Sequence, residues 1–305
     1  MFSIICKIGP LSISTYAVVV ATIVGAGAAV LFVAALLGRI KRPLVIAVLF
    51  WTVFLSVLSM IPLLTSVTIY SYGLMLAIAV VVCTSMLARD ARRKGIKTDI
   101  IFDLVFWAIV GGILGARLFY ILLNYRFFLA NPNEIIMIQN GGLAWQGGLI
   151  LGAMSGASLI KKRKLFLPDM LDLCAPYLAL GQSIGRIGCF LNGCCYGKPV
   201  EGGIYFPVHN AYLHPTQLYL AGGLFVIFLI LKRYQRSSSI PGLVFASYLI
   251  LSSALRFGVE FFRADHKIFF FGFSIFQFVC AGILMFAFIF AYVMLIKHSN
   301  PEDSL

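Results

Sequence analysis

Long apolar segments recur along the whole chain and are separated by short connections that carry most of the charge. A helix needs about 20 apolar residues to cross the roughly 30 Å hydrocarbon core of a bilayer. In lipid the backbone must satisfy its own hydrogen bonds, which favours helices. The pattern therefore predicts an all-α integral membrane protein with about nine transmembrane helices. The predicted spans are 12–38, 44–65, 69–88, 101–123, 142–160, 169–190, 215–231, 241–261 and 270–296.

The composition supports a membrane protein and excludes an ordinary soluble domain. Hydrophobic residues make up 61% of the 305 residues and charged residues only 11%, which leaves too little polar surface to meet water. The net charge is +13, but the basic residues lie in short loops between apolar segments. We therefore interpret them as topology signals and expect no nucleic-acid partner.

Basic residues concentrate in every second connection, after the first, third, fifth, seventh and ninth predicted spans. Cytoplasmic loops of membrane proteins carry the excess of Lys and Arg. The alternation predicts a multi-pass inner-membrane protein with its N-terminus outside and its C-terminus in the cytoplasm. On this topology the segments 124–141, 191–214 and 262–269 face outward together, and they contain most of the unusual residues.

Charged side chains also occur within the predicted spans, near their outer ends. They are Arg117, Arg186, Arg256 and Glu260. A charge at this depth costs a few kcal/mol or more, so it usually faces a cavity and a partner. One interpretation is a structural Arg256–Glu260 pair with snorkelling arginines. The other is a group of guanidinium groups that converge on an anion, which in a membrane would be a phospholipid headgroup.

Several short motifs follow one another in a specific order over residues 66–305. They are YGLM at 72–75, GAR at 115–117, GGL at 141–143 with Gly147 and Gly148, GRIG at 185–188, Asn192 with Gly197, HPTQLY at 214–219, and Arg256 with Glu260 and Arg263. This set resembles the motifs of prolipoprotein diacylglyceryl transferases. The resemblance implies a seven-helix membrane domain at 66–305, and residues 1–65 then form an N-terminal transmembrane hairpin extension.

The resemblance also implies an activity and its partners. The enzymes of this family transfer a diacylglyceryl group from phosphatidylglycerol to the lipobox cysteine of a secreted prolipoprotein. The expected partners are phosphatidylglycerol or another anionic phospholipid, the prolipoprotein signal peptide and the membrane, with no cofactor and no metal. The implied catalytic residues are Tyr72, Gln146, Arg186, Asn192, Arg256 and Glu260. The implied substrate-binding residues are Arg117, Gly147, Gly148, Cys189, Cys194, Gly197, His214, Gln217 and Arg263.

The sequence departs from the family pattern at acid–base positions. Gln146 stands where the family has a His that is proposed as the base, and a Gln amide cannot accept a proton at neutral pH. Cys189 replaces an Asn, Cys194 replaces a Glu, and Leu220 replaces another Glu. Two alternatives to the usual reaction follow: a changed lipid-group transfer, or an anionic-lipid-binding protein without catalysis.

Cysteines cluster in the segment that carries these departures. For Cys189, Cys194 and Cys195 four interpretations stay open. They are small-residue packing, a disulfide in an oxidising compartment, a thiol that acts as nucleophile or base, and a metal site completed by His209 and His214. The spacing matches no standard zinc pattern.

Overall fold

The computed structural model describes residues 4–8, 67–137, 141–207, 209–264, 268–270 and 272–299. The chain divides into two compact units, Phe2–Ser71 and Tyr72–Leu305. In the first unit, strand β1 (Ile4–Ile8) pairs antiparallel with β2 (Val67–Tyr70). The predicted spans at 12–38 and 44–65 lie outside the described residues.

Helices make up most of the described chain after β2. The long helices are α1 (Ser71–Arg93), α2 (Thr98–Leu123), α4 (Trp145–Lys162), α5 (Leu167–Asn192), α6 (Thr216–Ser237), α7 (Leu243–Glu260) and α8 (Ile275–Ser299). A short helix α3 (Tyr125–Ala130) and a single 3₁₀ turn (Pro132–Ile135) follow α2. Each long helix overlaps one of the predicted spans from 69–88 onward.

Five of these helices, α1, α2, α6, α7 and α8, are long and apolar enough to cross a membrane. The prediction of an all-α membrane protein is therefore confirmed, whereas the count of nine spans stays a prediction. Helix α5 is less apolar because Asp169, Asp172, Gln182 and Arg186 interrupt its hydrophobic face.

Helices α2 and α4 pack closely through glycines, and their backbones come into direct contact. A Cβ atom placed on Gly115 would lie 2.3 Å from the carbonyl oxygen of Gly147, and one placed on Gly147 would lie 2.2 Å from that of Gly115. Both distances are far below van der Waals contact. Only glycine permits this approach, as in other small-residue interfaces between membrane helices.

Polar side chains connect the other helices inside the bundle. Ser183 on α5 donates a 2.7 Å hydrogen bond to the carbonyl of Ala221 on α6, and Gln182 donates one of 2.8 Å to the Tyr248 hydroxyl on α7. The carboxylate of Asp172 accepts hydrogen bonds from the amides of Gly242 and Phe245 at the start of α7. These bonds satisfy groups that would otherwise be costly to bury.

Short strands connect the helices at one end of the second unit. Strand β3 (Pro199–Phe206) pairs with β4 (Ala211–Leu213), and β5 (Ile268–Phe270) pairs with β6 (Phe273–Ser274). An antiparallel bridge between Gly197 and Arg263 joins the α5–α6 connection to the end of α7. This bridge brings together the residues of the candidate site.

Candidate active site at the ends of α5 and α7

Three cysteine side chains meet where α5 ends. Gly193, with φ +75°, caps the helix, and the amide of Cys194 donates to the carbonyl of Cys189 at 3.2 Å. Cys195 has φ +62°, a left-handed conformation that is uncommon for a residue with a side chain. The chain thereby reverses, and the Sγ atoms of Cys189, Cys194 and Cys195 all lie within 4.8 Å of one another.

The first turn of α6 holds the segment 189–195, the cysteine turn, in place from the other side. The Thr216 hydroxyl donates a 2.8 Å hydrogen bond to the carbonyl of Cys195, and the Gln217 amide donates one of 2.6 Å to the carbonyl of Cys194. Both Thr216 and Gln217 are fully buried. The HPTQLY motif therefore positions the cysteines. Sequence reasoning missed this role, although two polar residues at the start of an apolar helix were a usable signal.

Gly197 allows three segments to meet directly behind the cysteine turn. A Cβ atom at this position would lie 2.6 Å from both the His214 Cβ and the Phe262 carbonyl oxygen. The amide of Gly197 donates to the His214 carbonyl at 2.9 Å, and the amide of Lys198 donates to the Phe262 carbonyl at 2.8 Å. These contacts draw Arg263, the residue after Phe262, toward the cysteines.

Three arginines gather beside the cysteine turn. Arg186 and Arg263 both lie close enough to Arg256 to interact with it electrostatically. Arg256 Nη2 lies 3.1 Å from Glu260 Oε2, and Ser274 donates a 2.8 Å hydrogen bond to Glu260 Oε1. The Glu260 carboxylate offsets one of three positive charges, so the cluster has an excess of positive charge that suits an anion.

Two of the guanidinium groups retain unused donors. Arg186 is half-buried, and within the part of the chain that the structure describes its side chain has neither a hydrogen bond nor an ion pair. Arg256 Nη1 is buried and lacks a hydrogen-bond acceptor among the described residues. A buried donor without an acceptor is destabilising in a finished structure, so these atoms indicate where a ligand oxygen would bind.

Tyr72 lies at the edge of the same cluster. Its ring packs on α5, since a Cβ atom at Gly188 would lie 3.3 Å from Tyr72 Cδ2. The Tyr72 side chain interacts electrostatically with Arg186 and Cys189 and stays 44% exposed. Tyr72 is thus placed to contact a molecule bound at Arg186.

The cluster changes the acidity of its loop thiols in opposite directions. The hydrogen bond with Cys189 lowers the pKa of Cys194, but the hydrogen bond with Cys195 and burial outweigh it and raise that pKa. Hydrogen bonds from the thiols of Cys189 and Cys194, together with the positive charges of Arg263 and Arg186, lower the pKa of Cys195. Burial acts in the opposite direction and does not cancel this effect. A lowered pKa favours the thiolate form of Cys195 relative to an ordinary cysteine.

Arg117 has a different place from the other predicted arginines. Its guanidinium donates to the carbonyls of Ile135, Gly141 and Gly142 at 3.2, 2.7 and 3.1 Å, and also to those of Glu134 and Met137. The sequence predicted that Arg117 contacts the substrate, whereas in the structure its guanidinium contacts backbone carbonyls. The side chain holds the connection between α2 and α4, because its donors are already used by backbone carbonyls.

Three further predicted site residues, Gln146, Gly147 and Gly148, lie in the first turn of α4. The two glycines face another helix and Gln146 is exposed. Gly147 and Gly148 pack against α2, where a Cβ atom on Gly148 would lie 3.1 Å from the Gly112 carbonyl oxygen. Their positions are explained by helix packing. Gln146 is exposed in the first turn of α4.

The two histidines near the cysteines face other partners. His209 Nε2 lies 3.1 Å from the Gly193 carbonyl, and His214 Nδ1 lies 3.2 Å from the Tyr219 hydroxyl. The candidate metal-ligand group among the described residues consists of the three cysteines. Asn192 completes the turn with a side-chain hydrogen bond to the Cys194 thiol.

Comparison with known proteins identifies the family of this chain. A relative in Clostridium tetani, named phosphatidylglycerol–prolipoprotein diacylglyceryl transferase, is 38% identical over 206 residues, which cover 65% of this chain and 82% of the relative. Relatives of the same name in Finegoldia magna and Geobacter sulfurreducens are 35% and 36% identical; the alignments cover 64% and 63% of this chain and 79% and 76% of those proteins. The family model of prolipoprotein diacylglyceryl transferase matches residues 59–294. The chain therefore belongs to the prolipoprotein diacylglyceryl transferase family.

Proposed function

We propose that this protein transfers the diacylglyceryl group of phosphatidylglycerol to the lipobox cysteine of a secreted prolipoprotein. The cysteine sulfur forms a bond to the glyceryl carbon, and the bond from that carbon to the phosphate oxygen breaks. Glycerol phosphate leaves with the electron pair of that bond. The thiol proton passes to solvent, and a thioether-linked diacylglyceryl group remains on the acceptor.

The half-buried guanidinium of Arg186 is the observation that carries this proposal. Arg186 has no hydrogen-bond or ion-pair partner among the described residues, and it lies near Arg256. A planar guanidinium can donate two parallel hydrogen bonds to a phosphate. Donors fixed where charge develops on a leaving phosphate stabilise the transition state, and removal of one such donor typically lowers the rate about 100- to 1,000-fold.

The remaining site residues support the positions of these donors. Glu260 and Ser274 hold Arg256 in place through the bonds at 3.1 and 2.8 Å. Tyr72 lies beside Arg186 and is partly exposed, so its hydroxyl can contact the bound headgroup. Gln146 has an amide that cannot accept a proton at neutral pH, so the acceptor thiol must lose its proton by another route.

A groove between α6 and α7 suits the lipid tail. It has a volume of about 480 Å³ and is lined by Tyr219, Ala254, Leu255, Gly258, Val259 and Phe262. The lining is mostly apolar and belongs to α6, α7 and the residue that precedes Arg263. An acyl chain lying here would contact the face of α7 that carries Leu255 and Gly258, and Phe262 connects this face to Arg263.

The proposal includes a location in the cell and a division of the chain. The protein would lie in the bacterial inner membrane with its N-terminus outside and its C-terminus in the cytoplasm, as the basic loops predict. Residues 66–305 would form the transferase domain and bind the prolipoprotein through its signal peptide. Residues 1–65 would add a transmembrane hairpin.

Complementation of a bacterium depleted of its own transferase tests the proposal in cells. Expression of this protein should restore growth and lipid modification of prolipoproteins. The Arg186→Gln variant should fail, because it removes the positive charge from the phosphate site. Arg163→Gln serves as the matched control, since Arg163 is exposed and pairs with Asp103.

A reconstituted assay tests the lipid donor directly. Purified protein in vesicles with phosphatidylglycerol and a lipobox peptide should give a thioether-linked product, identified by its mass. Vesicles with a zwitterionic lipid alone should give none. If the well-folded protein binds phosphatidylglycerol but yields no product with any lipobox peptide, it is a lipid-binding protein and the proposed activity is wrong.

A further inference from the structure

The cysteine turn presents a set of three thiols that the transfer of a lipid group does not by itself require. The Sγ atoms of Cys189, Cys194 and Cys195 lie within 4.8 Å of one another, and each residue is half-buried. Sulfur atoms around one zinc ion, at about 2.3 Å each in tetrahedral geometry, lie about 3.8 Å apart. The three thiols are therefore close to the spacing of a metal site.

The backbone is fixed in this arrangement by groups other than the thiols. Thr216 and Gln217 hold the carbonyls of Cys195 and Cys194 at 2.8 and 2.6 Å, and Cys195 keeps a left-handed φ of +62°. An unfavourable backbone conformation persists only where the surroundings impose it, and it is common at functional sites. These bonds hold the backbone of Cys194 and Cys195 without using their thiols.

We propose that Cys189, Cys194 and Cys195 bind a zinc ion as three thiolates, and that the acceptor thiol of the substrate takes the fourth position. This inference rests on the proposed diacylglyceryl transfer. Zinc sites with three protein ligands and one open position are typical of catalysis, whereas structural sites have four protein ligands. No further His, Cys, Asp or Glu of the described ranges joins the three thiols.

The zinc site would promote the loss of the acceptor thiol's proton, for which Gln146 cannot serve as a base. An acceptor thiol that binds zinc gives up its proton to solvent and becomes a thiolate. The thiolate sulfur then bonds to the glyceryl carbon, the carbon–oxygen bond to phosphate breaks, and the electron pair leaves on the phosphate oxygen near Arg186. The product thioether is neutral and a weaker ligand than a thiolate, so it leaves the metal. The oxidation states of zinc and sulfur do not change.

The surrounding charges are compatible with this ion. Zinc with three thiolates carries one net negative charge, and the acceptor thiolate adds another. Arg186 and Arg263 both interact electrostatically with Cys195, so they would stabilise this anionic complex. The histidines do not compete as ligands in this structure, since His209 faces the Gly193 carbonyl and His214 faces Tyr219.

The metal content of the full-length protein tests the proposal without any need for turnover. Protein purified in detergent with added zinc sulfate and then washed should hold about one zinc ion per chain. Cys189→Ser, Cys194→Ser and Cys195→Ser should each reduce that content to about a tenth or less. Cys83→Ser is the matched control and should keep the ion, because Cys83 lies on α1 outside the thiol group.

Cobalt substitution in the unmodified protein tests the ligands independently of any variant. Bound Co²⁺ should show thiolate-to-cobalt charge-transfer absorption, and a lipobox peptide should change the spectrum. The same peptide with Ser in place of its Cys should leave the spectrum unchanged. Absence of stoichiometric zinc and of this absorption would overturn the proposal, as would mass-spectrometric proof of a disulfide between two of the three cysteines in active protein.

The two proposals fail in different ways. A protein that binds zinc through the three cysteines but transfers no lipid would contradict the proposed function and retain the metal site. A protein that transfers lipid at full rate after complete removal of zinc would contradict the metal site and retain the transferase function.

Discussion

The buried side-chain amide of Gln217 donates a 2.6 Å hydrogen bond to the backbone carbonyl of Cys194, which lies 23 residues earlier in the chain. Thr216 makes the equivalent bond to Cys195. The first turn of α6 therefore determines the shape of the cysteine turn at the end of α5. Two sequence motifs that look independent form one structural unit.

Substitution of Gln217 by Met should impair activity more than stability. Met has a similar volume but cannot donate to the Cys194 carbonyl, and a buried acceptor left unpaired costs about 1–3 kcal/mol. The transfer rate and the thermal unfolding of the protein in detergent measure the two effects. Gln182→Met is the control, because it removes a side-chain hydrogen bond between an exposed residue and Tyr248 away from the cysteines. Equal losses of activity in both variants would contradict a positioning role for Gln217.

Gly197→Ala should disrupt the site through its backbone. The added methyl group would lie 2.6 Å from the His214 Cβ and the Phe262 carbonyl oxygen, and overpacking of this kind costs about 1–3 kcal/mol. We expect lower thermal stability and a transfer rate below detection. Gly222→Ala, at a helical position with open space around it, should be neutral or slightly stabilising. A Gly197→Ala variant with normal kinetics would show that the Gly197–Arg263 bridge does not shape the site.

Substitutions of the Arg256–Glu260 pair should affect stability and activity differently. Glu260→Gln leaves the Arg256 charge buried without compensation, which costs about 3–5 kcal/mol for a buried pair. Replacement of both residues by Met removes the charges together and should recover most of the stability, yet it should remain inactive because the phosphate ligand is gone. Thermal unfolding and the transfer assay on the same preparations measure both properties. Activity in the double variant would refute a role for Arg256 in phosphate binding.

Arg117→Lys should loosen the connection between α2 and α4. A lysine cannot reach the five backbone carbonyls that the guanidinium contacts, and we expect a loss of about 3 kcal/mol. Amide hydrogen exchange should increase at residues 134–137 and 141–142, while the affinity of the detergent-solubilised protein for phosphatidylglycerol should change little. Arg126→Lys is the control at an exposed site. A large loss of lipid affinity without faster exchange would indicate that Arg117 binds the substrate.

The positions of the long helices could be predicted from the sequence because the thickness of the bilayer sets the length of an apolar segment. All the predicted spans from 69–88 onward overlap observed helices. The order of the motifs likewise identified the family before any geometry was known. The convergence of Arg186 and Arg256 was one of two interpretations of the charges near the ends of spans. The approach of Arg263 depends on its bridge to Gly197, which the sequence did not predict.

The partners of individual side chains could not be predicted in the same way. Arg117 looked like a phosphate ligand, but its donors contact carbonyls 17 to 25 residues away. The Gly147 and Gly148 pair looked like part of a ligand site and is used for packing against α2. Such contacts depend on which elements meet in space, and hydropathy patterns do not carry that information.

The glycine contact between α2 and α4 has a consequence for how a lipid could reach the site. Because the carbonyl of Gly115 lies directly against the backbone of Gly147, these helices have little room to move relative to each other at this point. Helices α2 and α4 should therefore move together as one rigid unit, since close-packed interiors are hard to deform. Tyr219 and Phe262 make an edge-to-face contact at 6.3 Å beside the apolar groove, and both rings can rotate about their side-chain bonds. We therefore expect a phospholipid with two acyl chains to enter between α6 and α7, beside Tyr219 and Phe262. The α2–α4 pair should stay fixed during entry.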